Sequence, residues 1–449
     1  MRDFLPEEVR RREYVIGIVK RVYERYGFEP LETPAVENIE TLLGKYGEEG
    51  NQLIYKILKR GEGEATGQAD LALRYDLTVP LARVVAHHQA RLPKLFKRYQ
   101  IQPVWRADRP ARGRFREFYQ CDVDALGSTS PLVEAELCAA LSEVLVELGF
   151  SDFVIRLNDR QLLTRVLNAS GVDPVLHSDA LIALDKLDRV GRDGVSDEFV
   201  QRGIPEAAAK KLLLLFSEVL PGLATNIDVD ELNVRTLAVL EEKLRGDRHE
   251  FAASTSLHEI LALVARTSAA HRVRLDLSLA RGLSYYTGAI MEIALTAGDF
   301  AGSVGGGGRY DNLVGMFLGQ SIPACGFSLG LERILVVMGE RGMFPASLAT
   351  TSADVMVSCF DAAGFPHAME AASVMRQAGL RVLVYPDADK IGKQIKYADG
   401  RGIPFVALLG ADEIAHGTIT VKDLARQTQT TYDRADAGAA IRKALTERG

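Results

Sequence analysis

Strand and helix alternate in only one part of this 449-residue chain. From Asp354 the pattern predicts strand 355–359, helix 368–377, strand 381–385, helix 391–401, strands 405–409 and 418–422, and helix 437–446. Such an order builds a small α/β domain. The preceding residues follow a different rule. A helix over 7–26 carries Val15, Ile16, Val19, Val22 and Tyr23 at helical spacing and is stopped by Gly27. Strand-like segments follow at 28–34, 53–58, 71–75, 99–106 and 115–126, with helices only at 79–88 and 131–148. This predicts an antiparallel sheet with flanking helices, so the whole chain is α+β with an α/β appendage. Residues of roughly 175–265 are rich in Leu, Ala, Glu, Asp and Lys and poor in aromatics, and they read as a helical insertion. Strands resume at 273–279 and 289–294, and 325–338 passes from strand to helix. The expected layout is a large domain over 1–340, a linker rich in Gly, Pro, Ser and Thr over 341–352, and the α/β domain over 353–449.

The hydrophobic share of 47% and charged share of 25% exclude disorder, collagen and coiled coil as the main theme. Cys121, Cys138, Cys325 and Cys359 form no CxxC pair and the histidines no HxxxH, so neither a structural metal site nor a disulfide framework is expected. The start lacks an apolar signal region, and the longest apolar runs, such as 212–216 and 334–338, are far too short to span a bilayer. No membrane partner is expected, and the expected location is the cytoplasm.

The net charge is −6, yet residues 91–117 hold nine positive side chains against Asp108 and Glu117, a local +7. Most are arginines, whose planar forks suit phosphate, and Phe115, Phe118 and Tyr119 are interleaved for base stacking. A solvated surface or a structural ion-pair cluster is the competing reading. The segment from Leu279 to Gly288 is either a turn with packed tyrosines or an arginine and a phenol aimed into a pocket. The glycine cluster 302–308 lacks a P-loop ending and is no GxGxxG in a βαβ unit; it reads as a flexible loop or, better, as close approach of backbone to a ligand.

Three signatures in order resemble those of class II aminoacyl-tRNA synthetases. They are Gly27-Phe28-x-x-Leu31-x-x-Pro34, then Arg106-x-Asp108 with Arg114-x-x-x-Phe118, then Gly326-x-x-x-Gly330-Leu331-Glu332-Arg333. Asp108 stands where Glu is more usual. Arg2–Pro6, 73–80, 281–288 and Gly307-Gly308-Arg309-Tyr310-Asp311 are similar to the histidyl-tRNA synthetase family within that class. The resemblance implies activation of histidine by ATP and transfer of the histidyl group to the 3′ end of histidine tRNA. It implies a homodimer formed through the stretch from Gly27 to Pro34. By motif position Arg106 and Arg281 are catalytic. Arg106, Asp108, Arg114, Phe118 and Arg333 are implied to bind ATP, with Mg²⁺ on the triphosphate and no ligands for it identified. Asp76, Thr78 and Gln120 are implied to hold the α-amino group. Asp124 and Tyr286 are implied to contact the imidazole, and Arg281, Tyr285 and Tyr310 complete the histidine site, although Tyr285 by itself reads as packing. Glu332 reads equally as the partner of an arginine or as a metal ligand. Ser284 departs from the family's usual Asp. The last domain resembles the anticodon-binding domain of several class II synthetases. There Lys390, Lys393 and Lys396 fall near one helix face beside Tyr397, as tRNA contacts or as a solvated lysine row. Two alternatives remain open: a non-catalytic regulatory relative, which would lack the last domain and tend to lose the arginines, and a synthetase for proline or threonine.

Overall fold

The structure is a computed structural model; it describes residues 1–219, 228–244, 252–280, 285–298, 300, 302–345, 348 and 351–447. The chain divides into two units, Met1–Met343 and Phe344–Gly449. The first contains strands β1 (Glu29–Pro30), β2 (Val36–Asn38), β3 (Lys56–Leu58), β4 (Ala69–Leu73), β5 (Phe96–Trp105), β6 (Glu117–Leu126), β7 (Phe153–Asp159), β8 (Val273–Leu275), β9 (Ala289–Leu295), β10 (Ser303–Arg309) and β11 (Ala324–Gly330). Among the described residues, eight of them form one sheet in the order β1-β5-β6-β11-β10-β9-β7-β8. Only the two outer pairs, β1 with β5 and β7 with β8, are parallel. A small sheet, β2-β4-β3, stands apart.

The central sheet is two-faced because its strands obey a period of two. On β6, Cys121, Val123 and Ala125 are apolar and buried, while Gln120, Asp122 and Asp124 point to the opposite side. The apolar side is covered by helix Leu132–Glu147, which is buried around most of its circumference. That burial follows from its neighbours: helices Pro6–Arg25 and Ala252–Val264 both pack against it. Helix Pro6–Arg25 is a simpler amphipath, with Val15, Ile18, Val19, Val22 and Tyr23 buried and arginines outside. Its charged side reaches across to helix Leu132–Glu147 through Arg25, which pairs with Glu143 at 2.8 Å.

Between β7 and β8 helix follows helix: Arg160–Ser170, His177–Leu184, Leu187–Gln201, Glu206–Val219, Val229–Lys243 and Ala252–Val264. Asn233 of this region ties it to β8, donating to the Val273 carbonyl at 2.8 Å and accepting from Leu275 N–H at 2.8 Å.

Two local expectations fail for physical reasons, and one strand has no sequence signal. The glycine cluster is not a loop: Gly305 to Gly308 lie inside β10, hydrogen-bonded between β9 and β11. The segment expected as strand 53–58 is strand only from Lys56, because helix Gly47–Gln52 and its cap occupy the front of it. Strand β7 gives no alternating signal because all seven of its residues are buried.

The second unit holds β12 (Val355–Cys359), β13 (Val382–Val384), β14 (Phe405–Leu409), β15 (Thr418–Asp423) and β16 (Thr428–Asp433), ordered β13-β12-β14-β15-β16. The first three are parallel and β15 and β16 antiparallel. Strand β16 escapes sequence reading because it is a polar, exposed edge. Among the described residues no helix is long and apolar enough to cross a membrane.

Candidate active site

The polar face of the large sheet forms the floor of a cavity of about 1360 Å³. Its outer end is arginine-rich. Arg106 follows β5; its Nε donates to the Tyr75 carbonyl at 3.0 Å, and its guanidinium lies 4.2 Å from the Tyr75 ring centre and 5.2 Å from that of Phe118. Aromatic faces on two sides orient the fork while leaving its edge available. Arg114 pairs with the buried Asp108 at 2.7 Å, yet its side chain is 54% exposed. Arg333, in the first turn of helix Leu331–Glu340, donates to the Ser303 carbonyl at the start of β10. Arg106, Asp108, Arg114, Phe118 and Arg333 all line the cavity.

The +7 stretch does not act as one phosphate surface. Lys97 binds Glu136 at 2.8 Å, Arg112 binds Glu340 and Arg98 is buried against Asp124, so these charges are neutralised within the fold. Both oxygens of Glu332 accept the Tyr119 N–H, at 3.0 and 2.9 Å, and Arg12 and Arg2 act on it electrostatically. Burial pushes its carboxyl up to about 7.

The inner end is closed by phenols and carboxylates. Asp124 accepts the Tyr310 O–H on Oδ1 and faces Arg98 at 2.8 Å with Oδ2. Burial raises the pKa of both Asp124 and Tyr310. Tyr285 packs on Tyr286 with ring centres 4.7 Å apart and meets Tyr310 edge-on at 6.3 Å. Asp76 caps the start of helix Thr78–His88 by accepting Val79 N–H at 3.0 Å and also takes the Tyr46 O–H at 3.0 Å. Gln120 donates to Ser328 at 3.1 Å, and its Oε1 has no partner among the described residues. Asp76, Thr78, Gln120, Asp124, Tyr285, Tyr286 and Tyr310 line this same cavity. Arg281 and Ser284 lie outside the described residues.

The glycines explain how such bulky groups fit over a sheet. A Cβ on Gly326 would fall 1.8 Å from Asp124 Oδ1, and one on Gly308 would meet the Ala289 carbonyl at 2.5 Å and the Tyr286 ring at 3.1 Å. Close approach is therefore real, but it is first to neighbouring strands and pocket side chains.

Sequence reading missed the far wall. Arg156 on β7 binds Asp276 at 2.6 Å, Glu292 at 3.2 Å and Ser278 at 2.8 Å, and all four are cavity residues. The signal was an arginine and a glutamate each flanked on both sides by apolar strand residues. Leu232 and Thr236 of helix Val229–Lys243 also line the cavity, so the inserted helices reach the site.

In the second unit Lys390, Lys393 and Lys396 are exposed, but they are not equivalent. Lys390 precedes helix Ile391–Gly400, and Lys393 pairs with Asp389 at 2.8 Å. Tyr397 is 43% exposed and stands edge-on to Tyr385 at 5.4 Å.

Residues 1–334 match the family model for histidyl-tRNA synthetase, and residues 354–444 match that for an anticodon binding domain. The chain is 43% identical to a histidine–tRNA ligase of Gloeobacter violaceus, over 98% of this chain and 97% of that one. It is 40% identical to one of Christiangramia forsetii over 96% of each. A crystal structure of histidyl-tRNA synthetase from Nostoc sp. PCC 7120 superposes with a TM-score of 0.81 at 33% identity, covering 99% of this chain and 97% of that one. One described as an ATP phosphoribosyltransferase regulatory subunit/histidyl-tRNA synthetase from Bacillus halodurans, at 20% identity and a TM-score of 0.70, shares the fold. On this cavity, these motifs and near-full-length matches at 40% identity and above, the chain belongs to the histidyl-tRNA synthetase family.

Proposed function

We propose that the chain is a histidine–tRNA ligase that makes histidyl-adenylate from histidine and ATP and passes the histidyl group to histidine tRNA. The observation that carries this is one cavity with exposed arginines at one end and a buried carboxylate–phenol pair at the other.

In the first step an oxygen of the histidine carboxylate attacks the α-phosphorus of ATP. A carboxylate–phosphorus bond forms and the bond to pyrophosphate breaks. No protein base is needed, because the nucleophile is already an anion; positioning and charge cancellation do the work. Arg106, held by Tyr75 and Phe118, is assigned to the α-phosphate, together with Arg281. Phe118 stacks the adenine, and Arg114 and Arg333 take the outer phosphates. In the second step a hydroxyl of the terminal ribose attacks the activated carbonyl and AMP leaves.

Histidine is assigned to the closed end. Asp76, Thr78 and Gln120 surround its ammonium. Asp124, Tyr286 and Tyr310 face its ring, with Tyr285 supporting the two phenols. A wrong side chain would leave these buried groups unpaired, which costs several kcal/mol. Magnesium would arrive with the triphosphate. Asp108 is held by Arg114 and Glu332 by the Tyr119 amide, so neither fits as a ready ligand for a hard cation, and no step is routed through the metal.

The same reading makes residues 1–340 catalytic and 353–449 tRNA-binding, with Lys390, Lys393, Lys396 and Tyr397 as contacts for the anticodon arm, Lys393 sharing its charge with Asp389. A cytoplasmic homodimer joined through the stretch from Gly27 to Pro34 completes the proposal. Histidine-dependent ATP–pyrophosphate exchange with purified protein tests it. Exchange with proline or threonine and not with histidine would overturn the assignment.

A further inference from the structure

We infer that Arg98 keeps Asp124 ionised and oriented for reading the histidine ring against the like charge of neighbouring Asp122, which makes Arg98 a positioning residue for amino-acid selection. This deepens the histidine-pocket reading above and rests on it.

Arg98 sits on β5 directly across from Asp124 of β6; Asp122 lies two residues earlier on the same face, flanked by Ser328 of β11. Arg98 is 0% exposed, and Asp122 and Asp124 are each 2% exposed. Its Nη2 is 2.8 Å from Asp124 Oδ2 and 4.0 Å from Asp122 Oδ2. Its other contacts are long, 3.3 Å to Gln100 Oε1 and 3.3 Å to the Leu77 carbonyl. Among the described residues, Arg98 Nε, Asp122 Oδ1 and Asp124 Oδ2 have no hydrogen-bond partner, so the approach of Arg98 to Asp124 is an ion contact.

A buried ion group this poorly bonded does little to hold the fold, because desolvation cancels most of its attraction. Its consequence falls on Asp124. That carboxylate is held on one oxygen by the Tyr310 hydrogen bond and faces Arg98 on the other through an ion contact. Three buried acids, Asp76, Asp122 and Asp124, act on one another here, with Arg98 and Arg106 as the opposing cations and Tyr285, Tyr286 and Tyr310 as neutral phenols. Burial drives the carboxyls of Asp122 and Asp124 upward, and Arg98 is the largest influence pulling each back. Without it, the two like charges repel across one strand face and take up protons. A protonated Asp124 gains a donor and loses acceptor capacity, so an imidazole N–H is met badly.

The test is pyrophosphate exchange on full-length Arg98→Met and Arg98→Met/Asp122→Asn beside the wild type. Arg98→Met is expected to raise the histidine KM roughly 100-fold while the ATP KM moves less than about threefold. The double variant, which removes one stranded acid, is expected to recover at least about tenfold of that loss. A folded Arg98→Met with an unchanged histidine KM overturns the inference. So do parallel rises in both KM values with no recovery in the double variant, the pattern of a merely structural role. If Arg98→Met does not fold, Arg98→Lys retains the charge without the fork. A several-fold rise in histidine KM alone then supports the inference, and an unchanged one overturns it. A wild type without histidine-dependent exchange overturns the functional reading and this inference together; an active wild type with the wrong variant pattern overturns only the inference.

Discussion

One end of the catalytic cavity is dry and the other wet. At the dry end the side chain of Arg98 is 0% exposed and that of Asp124 3%. At the wet end Arg114, also paired with an aspartate, keeps 54% of its side chain in solvent. The same chemistry, an arginine beside an aspartate, therefore has two uses. Buried, it is a rigid reader, because every mismatch leaves a polar group unsatisfied at low dielectric. Exposed, it is an adaptable cation, screened by water and suited to a polyanion that brings its own charge. On the proposed function, the small substrate is selected where water is excluded, and the triphosphate is received where it is not.

Four experiments press on that contrast. Arg106→Ala should have the largest effect, lowering exchange at saturating histidine and ATP roughly a thousandfold, since the group acts on charge developing at the α-phosphate. A loss confined to ATP KM would place Arg106 with the binding cations instead. Asp124→Asn should raise the histidine KM about 100-fold and leave the ATP KM nearly constant. Equal rises in both would erase the division between the ends. Phe118→Ala should raise the ATP KM about tenfold through lost stacking, with histidine KM steady. The smallest effect is one of stability. Glu332 has a folded pKa of about 7, raised from 4.5. The folded state therefore holds this proton more tightly than the unfolded chain does. Its contribution to stability is full below pH 4.5 and is lost as pH rises through 7. Glu332→Gln should flatten the fall in Tm between pH 5 and pH 7.5 by roughly 3 °C, measured by thermal unfolding. An identical pH profile in the variant would remove Glu332 as the group responsible.

Legibility followed the kind of information each residue carries. Helix Pro6–Arg25 and strand β6 were visible because one face is apolar and the other is not. Arg106, Asp108, Arg114, Phe118 and Arg333 were visible because motif spacing is local and survives folding. The glycine strand β10 was hidden, because glycine carries no face; only its neighbours on β9 and β11 reveal a sheet position. Arg98 was counted with a basic surface, although alternation along β5 places it opposite Asp124. Arg156, Asp276 and Glu292 were hidden because their partners are more than a hundred residues from β7.

By itself the sequence determined the change from antiparallel sheet to alternating α/β order, the identity of the motifs and the family they resemble, since periodicity and spacing are properties of the chain alone. Tertiary structure decided which charges remain available. Nine cations lie between residues 91 and 117, and pairing across strands buries Arg98, ties down Lys97 and Arg112, and leaves Arg106 and Arg114 on the cavity. A charge is a fact of sequence, whereas its solvent, partner and dielectric depend on what the fold brings beside it.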